Sequence, residues 1–278
     1  MYKIIDGIKI AKNLEDKLKL EVKKLKENGI IPKLAVVLVG DNKPSQTYVR
    51  KKGESAKRVG IDFKLYKFDK NISKNELIKN IKNIQEDNKL SGLIVQLPLP
   101  EPLYTTDVLN SIKPELDVDC LTDTNIGKLT MKTNIISPPT PDAVIEILDY
   151  LKIDVKGKKV TIVGTGALVG KPLTIMLMNM GASVTTCNRS TKNTKEKTLG
   201  GEILVTAVGK KDLITKDMVQ KNAVVIDTGI CFENKKMYGD VDFENVKKIA
   251  KYITPVPGGV GPITVSKLLE NTIKLTKI

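Results

Sequence analysis

Hydrophobic and polar positions along this chain alternate between two periods. Ala11, Leu14, Leu18, Val22 and Leu25 recur at helical spacing, and Gly29 follows where a C-terminal cap belongs, so a long first helix ends there. The apolar run from Leu34 to Val39 predicts a buried strand. A helical segment from about Ser45 to Val59, closed by Gly60, then leads to a second strand near Phe63 to Phe68. Ser73 and Glu76 stand at capping-box spacing ahead of Leu77, Ile78, Ile81 and Ile84, and the apolar run Gly92 to Leu97 stops at Pro98 and Pro100. This alternation predicts a βαβαβ unit with a parallel sheet.

From Glu101 to about Pro141 the chain is rich in Asp, Thr, Asn and Pro and reads as a loose, site-forming connection. A helix from about Asp142 to Leu151 opens a second α/β series: strand Lys159 to Val163, a glycine turn, a helix to Met180, then strands Ser183 to Cys187, Ile203 to Ala207 and Ala223 to Asp227. A final helix from Ile263 to Leu275 follows the segment from Thr254 to Pro262, which is rich in Pro and Gly. The expected fold class is therefore α/β with two domains, which suits a length of 278 residues.

Composition narrows the chemistry. No stretch reaches the roughly 18 consecutive apolar residues of a membrane span. The N-terminus lacks the apolar core and cleavage site of an export signal, so the expected compartment is the cytoplasm. Cys120, Cys187 and Cys231 form no paired framework, and the chain has no histidine, so neither disulfides nor a metal site are expected. Acid–base work then falls to Lys, Asp, Glu, Tyr or Cys. The net charge of +14 comes almost entirely from lysine, with arginine only at 50, 58 and 189. A surface so poor in Arg is ill equipped for base readout, and it reads as a solvated face that also attracts small polyanions.

Four constellations carry candidate chemistry. Gly164-Thr165-Gly166, continuing through Val169 to Gly170, leaves a predicted strand and opens a helix, as a dinucleotide-binding turn does, although its spacing is GxGxxxG. The next strand ends in Asn188-Arg189-Ser190, where an NAD-selective fold carries an acidic residue; an arginine there favours the 2′-phosphate of NADP, with an exposed loop arginine as the alternative. Tyr48 and Lys52 share one face of a helix that begins just after a strand's carboxyl end. Gln96 ends a buried strand, and Asp117-Val118-Asp119 follows; each reads equally as a satisfied amide and a polar turn.

Together these segments resemble the bifunctional methylenetetrahydrofolate dehydrogenase and methenyltetrahydrofolate cyclohydrolase family. The resemblance runs from Asp6-Gly7 to the last helix. It includes Tyr48 to Lys52, the string Gln96-Leu97-Pro98-Leu99-Pro100, Asp117 to Asp119, Asn125 to Leu129, the glycine turn, and Pro255-Val256-Pro257-Gly258-Gly259-Val260-Gly261-Pro262. It implies an N-terminal α/β catalytic domain over 1–140, a Rossmann-type NAD(P)-binding domain over 141–261 with a cleft between them, and a C-terminal helix, 262–278, returning to the first domain.

The implied activity is oxidation of 5,10-methylenetetrahydrofolate with NADP, NAD being possible, followed by hydrolysis of the methenyl product. Lys52, Tyr48 and Gln96 are implied to be catalytic, and Tyr48, Asp119, Pro257, Gly258 and Gly259 to bind the folate. Gly164, Thr165, Gly166, Val169, Gly170, Arg189, Ser190 and Ile230 are implied to hold the cofactor. The implied assembly is a homodimer whose partners are tetrahydrofolate one-carbon derivatives, with neither nucleic acid nor membrane. Four positions depart from the family pattern: Cys120 stands where Gly is common, Pro139 where Cys is common, and Thr165-Gly166 where many members have Arg-Ser. The last favours, as a rival, a monofunctional NAD-linked dehydrogenase; a basic nucleic-acid-binding protein is the rival from charge alone.

Overall fold

A computed structural model describes residues 3–87, 89–234 and 236–277. The chain opens with β1 (Lys3–Ile4) and α1 (Gly7–Glu27). Asp6 starts α1 by accepting a hydrogen bond from Lys9 N at 2.9 Å, and Gly29 at φ 77° ends its last turn. Next come β2 (Lys33–Val39), α2 (Lys43–Val59), β3 (Asp62–Phe68), α3 (Lys74–Ile84) and β4 (Gly92–Val95). Gly60 closes α2 at φ 94°, and the Ser73 side chain caps α3 through Glu76 N, as the spacing predicts.

The expected loose connection is partly helical. It contains α4 (Thr106–Leu109) and α5 (Asp123–Thr130), and α6 (Pro139–Tyr150) begins earlier than its periodicity suggests, with prolines in its first turn. Then follow β5 (Lys159–Val163), α7 (Gly170–Asn179), β6 (Ser183–Cys187), α8 (Thr194–Leu199), β7 (Ile203–Thr206) and β8 (Val224–Asp227). The chain closes with the hairpin β9 (Cys231–Glu233) and β10 (Lys236–Tyr238), α9 (Phe243–Val246), β11 (Tyr252–Ile253) and α10 (Val260–Thr276).

The residues form two compact units, Lys12–Pro139 with Val265–Ile278, and Met1–Ala11 with Thr140–Thr264. In the first, three parallel strands lie in the order β3-β2-β4. Because alternate strand residues face opposite sides, Leu34, Val36 and Leu38 join one core with Leu18, Val22, Leu268 and Leu269. Ala35, Val37 and Val39 join the other with Leu77, Ile81 and Leu103. Each fully buried aliphatic side chain contributes about 1.5–3 kcal/mol, so both faces anchor the sheet whose carboxyl ends carry the site.

In the second unit a six-stranded sheet runs in the order β1-β11-β8-β7-β5-β6, every pairing being parallel. Residues 1–11, which the sequence division places in the N-terminal domain, group here because β1 pairs with β11: Ile5 N donates to Ile253 O at 2.8 Å. Two-residue strands such as β1 and β11 leave no periodicity to read. Among the described residues no helix is long and apolar enough to cross a membrane.

Candidate active site

In the first unit, three residues separate the carboxyl end of β2 from the start of α2, and Asn42 Oδ1 caps the helix by accepting from Ser45 N at 3.0 Å. Tyr48 and Lys52 lie one turn apart along this helix. Gln96 extends β4 by one ladder bond, its N donating to Val37 O at 2.8 Å, which brings its side chain to Lys52. Lys52 Nζ donates to Gln96 Oε1 at 3.1 Å, while Gln96 Nε2 donates to Leu97 O at 2.6 Å. The second bond fixes the amide so that its oxygen faces the ammonium.

Burial pushes the Lys52 ammonium below the ordinary lysine range, and the Asp119 carboxylate opposes that shift. Burial pushes Asp119 up to about 6, the Lys52 charge holding it back and Asp117 adding to the rise. The two groups therefore set each other's charge. Burial also raises the Tyr48 phenol, whose hydroxyl is buried with no hydrogen-bond partner among the described residues. An unpartnered buried hydroxyl beside a lysine is a polar group available to a ligand.

The turn that presents Asp119 has its own supports, which sequence reasoning missed. Asp117 is fully buried and accepts from Leu121 N at 3.1 Å, Thr122 N and Thr122 Oγ1 at 2.8 Å each, and Asn125 Nδ2 at 3.0 Å. Of the two aspartates, Asp117 thus builds the turn and leaves Asp119 to the site. Asn271 of α10, also fully buried, donates to Val118 O at 2.9 Å and Ser137 O at 2.7 Å. Its place in a helical face dominated by apolar neighbours was the available signal. Cys120 takes φ 56°, the left-handed region where glycine is least strained, which accounts for the glycine common at this position in the family it resembles.

In the second unit the glycine turn follows β5. Gly164 has φ 107°, and a Cβ there would lie 2.3 Å from Ala207 O; one on Gly170 would lie 1.8 Å from Gly164 O. A Cβ on Gly166 would meet nothing within 4 Å, so that side of the turn is open. Val169, at the start of α7, makes no side-chain cap bond; Lys171 N donates to Gly166 O at 3.1 Å and Pro172 has no N–H, so the first turn offers the Gly170 amide to an anion. A tight turn with an open backbone face and an uncapped helix start fits a dinucleotide pyrophosphate.

Register places the other expected cofactor residues around this turn. Val163 pairs with Cys187, and Gly164 N donates to Cys187 O at 2.8 Å, so the turn bearing Arg189 and Ser190 leaves the sheet beside the glycine turn. Both residues are exposed, with Ser190 N held by Asn188 Oδ1 at 2.9 Å. Ile230 leaves the carboxyl end of β8 and is 39% exposed. Thr165 is half-buried within the turn. Pro257, Gly258 and Gly259 lie between β11 and α10, Gly258 at φ 99°.

Fold and site together define an α/β protein with a dinucleotide-type turn in one unit and a Lys–Gln–Asp cluster in the other. Residues 5–119 match the tetrahydrofolate dehydrogenase/cyclohydrolase catalytic domain, and residues 138–278 match the NAD(P)-binding domain of the same family. The bifunctional protein FolD of Nautilia profundicola is 45% identical over 99% of this chain and 97% of its own. The crystal structure of the bifunctional FolD of Campylobacter jejuni superposes with a TM-score of 0.96 at 40% identity, covering 100% and 99% of the two chains. That of the Trypanosoma brucei FolD, complexed with NADP and an inhibitor, also gives 0.96, at 35% identity over 99% and 97%. The chain belongs to the tetrahydrofolate dehydrogenase/cyclohydrolase family.

Proposed function

We propose that this protein oxidises 5,10-methylenetetrahydrofolate with NADP and hydrolyses the resulting methenyl compound to 10-formyltetrahydrofolate, with Lys52 as the proton shuttle of the second reaction. The observation that carries this reading is the contact between Lys52 Nζ and Gln96 Oε1 beside Asp119. Hydrolysis needs a base that is partly neutral near physiological pH. Burial lowers the Lys52 pKa and so favours the neutral amine, and a neutral amide partner orients it without the rise in pKa that a carboxylate would cause. Lys52 takes a proton from water as the water oxygen bonds to the methenyl carbon, then returns a proton to the ring nitrogen as the carbon–nitrogen bond breaks, while the new hydroxyl loses its remaining proton to solvent and becomes the formyl carbonyl.

Asp119 anchors the pterin's amino and ring N–H groups through charge-assisted hydrogen bonds, and Tyr48 offers a flat face and its free hydroxyl. Pro257, Gly258 and Gly259 are assigned to folate contact on the family resemblance of their segment. Gly164, Thr165, Gly166, Val169 and Gly170 hold the pyrophosphate, Ile230 adds an apolar contact, and Arg189 with Ser190 receives the 2′-phosphate. When bound, the nicotinamide ring supplies the hydride acceptor, and the protein's part in that step is orientation.

The T. brucei relative's complex with NADP supports the same dinucleotide here. We assign the protein as a homodimer, supported by the edge position of β6, where Ser183, Thr185 and Thr186 are exposed, and to the cytoplasm, where its three unpaired cysteines stay reduced. The lysine excess serves solvation, not nucleic acid. Assaying each half-reaction from supplied methylene and methenyl substrates tests the function; absence of hydrolysis at a normal oxidation rate would reduce it to a dehydrogenase.

A further inference from the structure

Two aspartates outside both clusters lie fully or almost fully buried near the carboxyl ends of β7 and β8. Asp240 accepts from three consecutive backbone amides: Val208 N to Oδ2 at 2.7 Å, Gly209 N to Oδ1 at 2.8 Å and Lys210 N to Oδ1 at 2.7 Å. These distances are those of charge-assisted bonds, and successive amides turned onto one anion fix a loop's shape. Asp227 accepts from Thr206 Oγ1 at 3.0 Å and from Gly229 N and Val241 N at 2.9 Å each.

The two carboxylates interlock through glycines. A Cβ on Gly229, two residues after Asp227, would lie 2.1 Å from the Asp240 carboxyl carbon; one on Gly239, the residue before Asp240, would lie 2.1 Å from Asp227 Oδ2. Each aspartate occupies space that the glycine beside the other leaves free. The Asp240 backbone is pinned as well, its carbonyl accepting from Ile214 N at 2.9 Å. Asp240 is therefore held by side chain and main chain, whereas Val208, Gly209 and Lys210 are exposed and have little apolar packing of their own.

Those exposed residues adjoin the proposed dinucleotide site on two sides. Gly164 is in such close approach to the loop that an added Cβ would meet Ala207 O at 2.3 Å and the Val208 side chain at 3.2 Å, and a Cβ on Gly209 would meet Ile230 O at 3.1 Å. We propose that Asp240 is a positioning residue for the dinucleotide: by gathering the amides of Val208, Gly209 and Lys210 it sets the loop against which the glycine turn and Ile230 take their shape. This rests on the dinucleotide-binding reading and adds to it a residue that touches no ligand itself.

Asp240→Asn keeps the shape but turns an amide N–H₂ toward amides that need an acceptor. Titrated with NADP by fluorescence, the variant should bind about tenfold or more weakly, the scale of one lost charge-assisted hydrogen bond. Its cyclohydrolase rate, assayed on methenyl substrate with no dinucleotide present, and its KM for folate should stay within about twofold of wild type, which a general loss of structure would not allow. Wild-type amide exchange provides a test independent of any variant. The Gly209 and Lys210 amides should exchange at least about 100-fold more slowly than free amides despite their exposure. Unprotected amides, or equal NADP affinity in Asp240→Asn, would overturn the role of Asp240. Failure of the wild-type protein to bind NADP at all would instead remove the dinucleotide reading on which it stands.

Discussion

Gly7 and Gly259 touch backbone to backbone: a Cβ built on Gly7 would fall 1.7 Å from the Gly259 carbonyl oxygen and 2.7 Å from that of Gly258. Gly7 opens α1, so its lack of a side chain costs helix stability, and Gly259 belongs to the segment proposed to contact folate. The Asp6-Gly7 pair at the start of the chain thus has a physical role, Asp6 capping the helix and Gly7 admitting the Pro257–Gly259 segment.

The sign of Gly7→Ala tests this contact. By helix propensity alone the change would stabilise the protein by up to about 1 kcal/mol. The close approach reverses it, and a cost of about 1–3 kcal/mol is expected in urea unfolding, with a higher KM for folate. A more stable variant would show that the two backbones do not meet.

Lys52→Met should lower cyclohydrolase activity by about 100-fold or more, the usual scale for a positioned acid–base group, and spare the dehydrogenase more. It should also move a pH limb. Lys52 holds the Asp119 carboxyl down toward its value of about 6, so removing the ammonium raises it, and the acid limb of kcat/KM for methylenetetrahydrofolate should shift to higher pH. Rates of both half-reactions measured from pH 5 to 10 check the two effects together; wild-type hydrolysis in the variant would return Lys52 to the pool of solvated lysines.

Gln96→Glu gives Lys52 an anionic partner at 3.1 Å in place of a neutral one. The lysine pKa should rise and the pH at which hydrolysis reaches its plateau should rise with it. An unchanged pH profile would mean that the amine is not the titrating group.

Arg189→Ala should weaken NADP much more than NAD, by roughly 10-fold or more for the loss of one charge-assisted contact to a 2′-phosphate. Comparison of the two dissociation constants is decisive, since equal losses would place the 2′-phosphate elsewhere.

Asp227 makes stability depend on pH. Burial pushes its carboxyl up to about 6 from the ordinary 3.8, the backbone hydrogen bonds it accepts from Asp240 and Val241 offsetting only part of the rise, so the folded state keeps a proton where the unfolded chain has lost it. Its stabilising contribution is fully present below about pH 4 and is lost as pH rises through 6. In Asp227→Asn the fall in stability across this window, followed by urea unfolding at intervals between pH 4 and 7, should be smaller than in wild type. The remainder is expected from Asp119, which is raised in the same direction.

Local order along this chain was legible because it depends on consecutive residues. The apolar run Leu34 to Val39, the helical spacing around Leu18 and Val22, the Ser73 cap and the Gly164 turn each constrain their own few residues, and each stands where its pattern puts it. So were Tyr48 and Lys52 on one helical face. Short elements were not: α4 and α5 are too brief for an apolar period to emerge from a polar stretch, although Thr122 caps α5 through Asn125 N. Only the tertiary structure decided which distant groups meet. Lys52 and Gln96 are 44 residues apart, and nothing local to either shows that β2 lies between β3 and β4 and brings them together. The same holds for Gly7 against Gly259 and for the glycines that make room for Asp227 and Asp240. Charge followed the same division, because the pKa of a buried group is set by desolvation and by neighbours across space, and a sequence orders its residues along the chain without stating those distances.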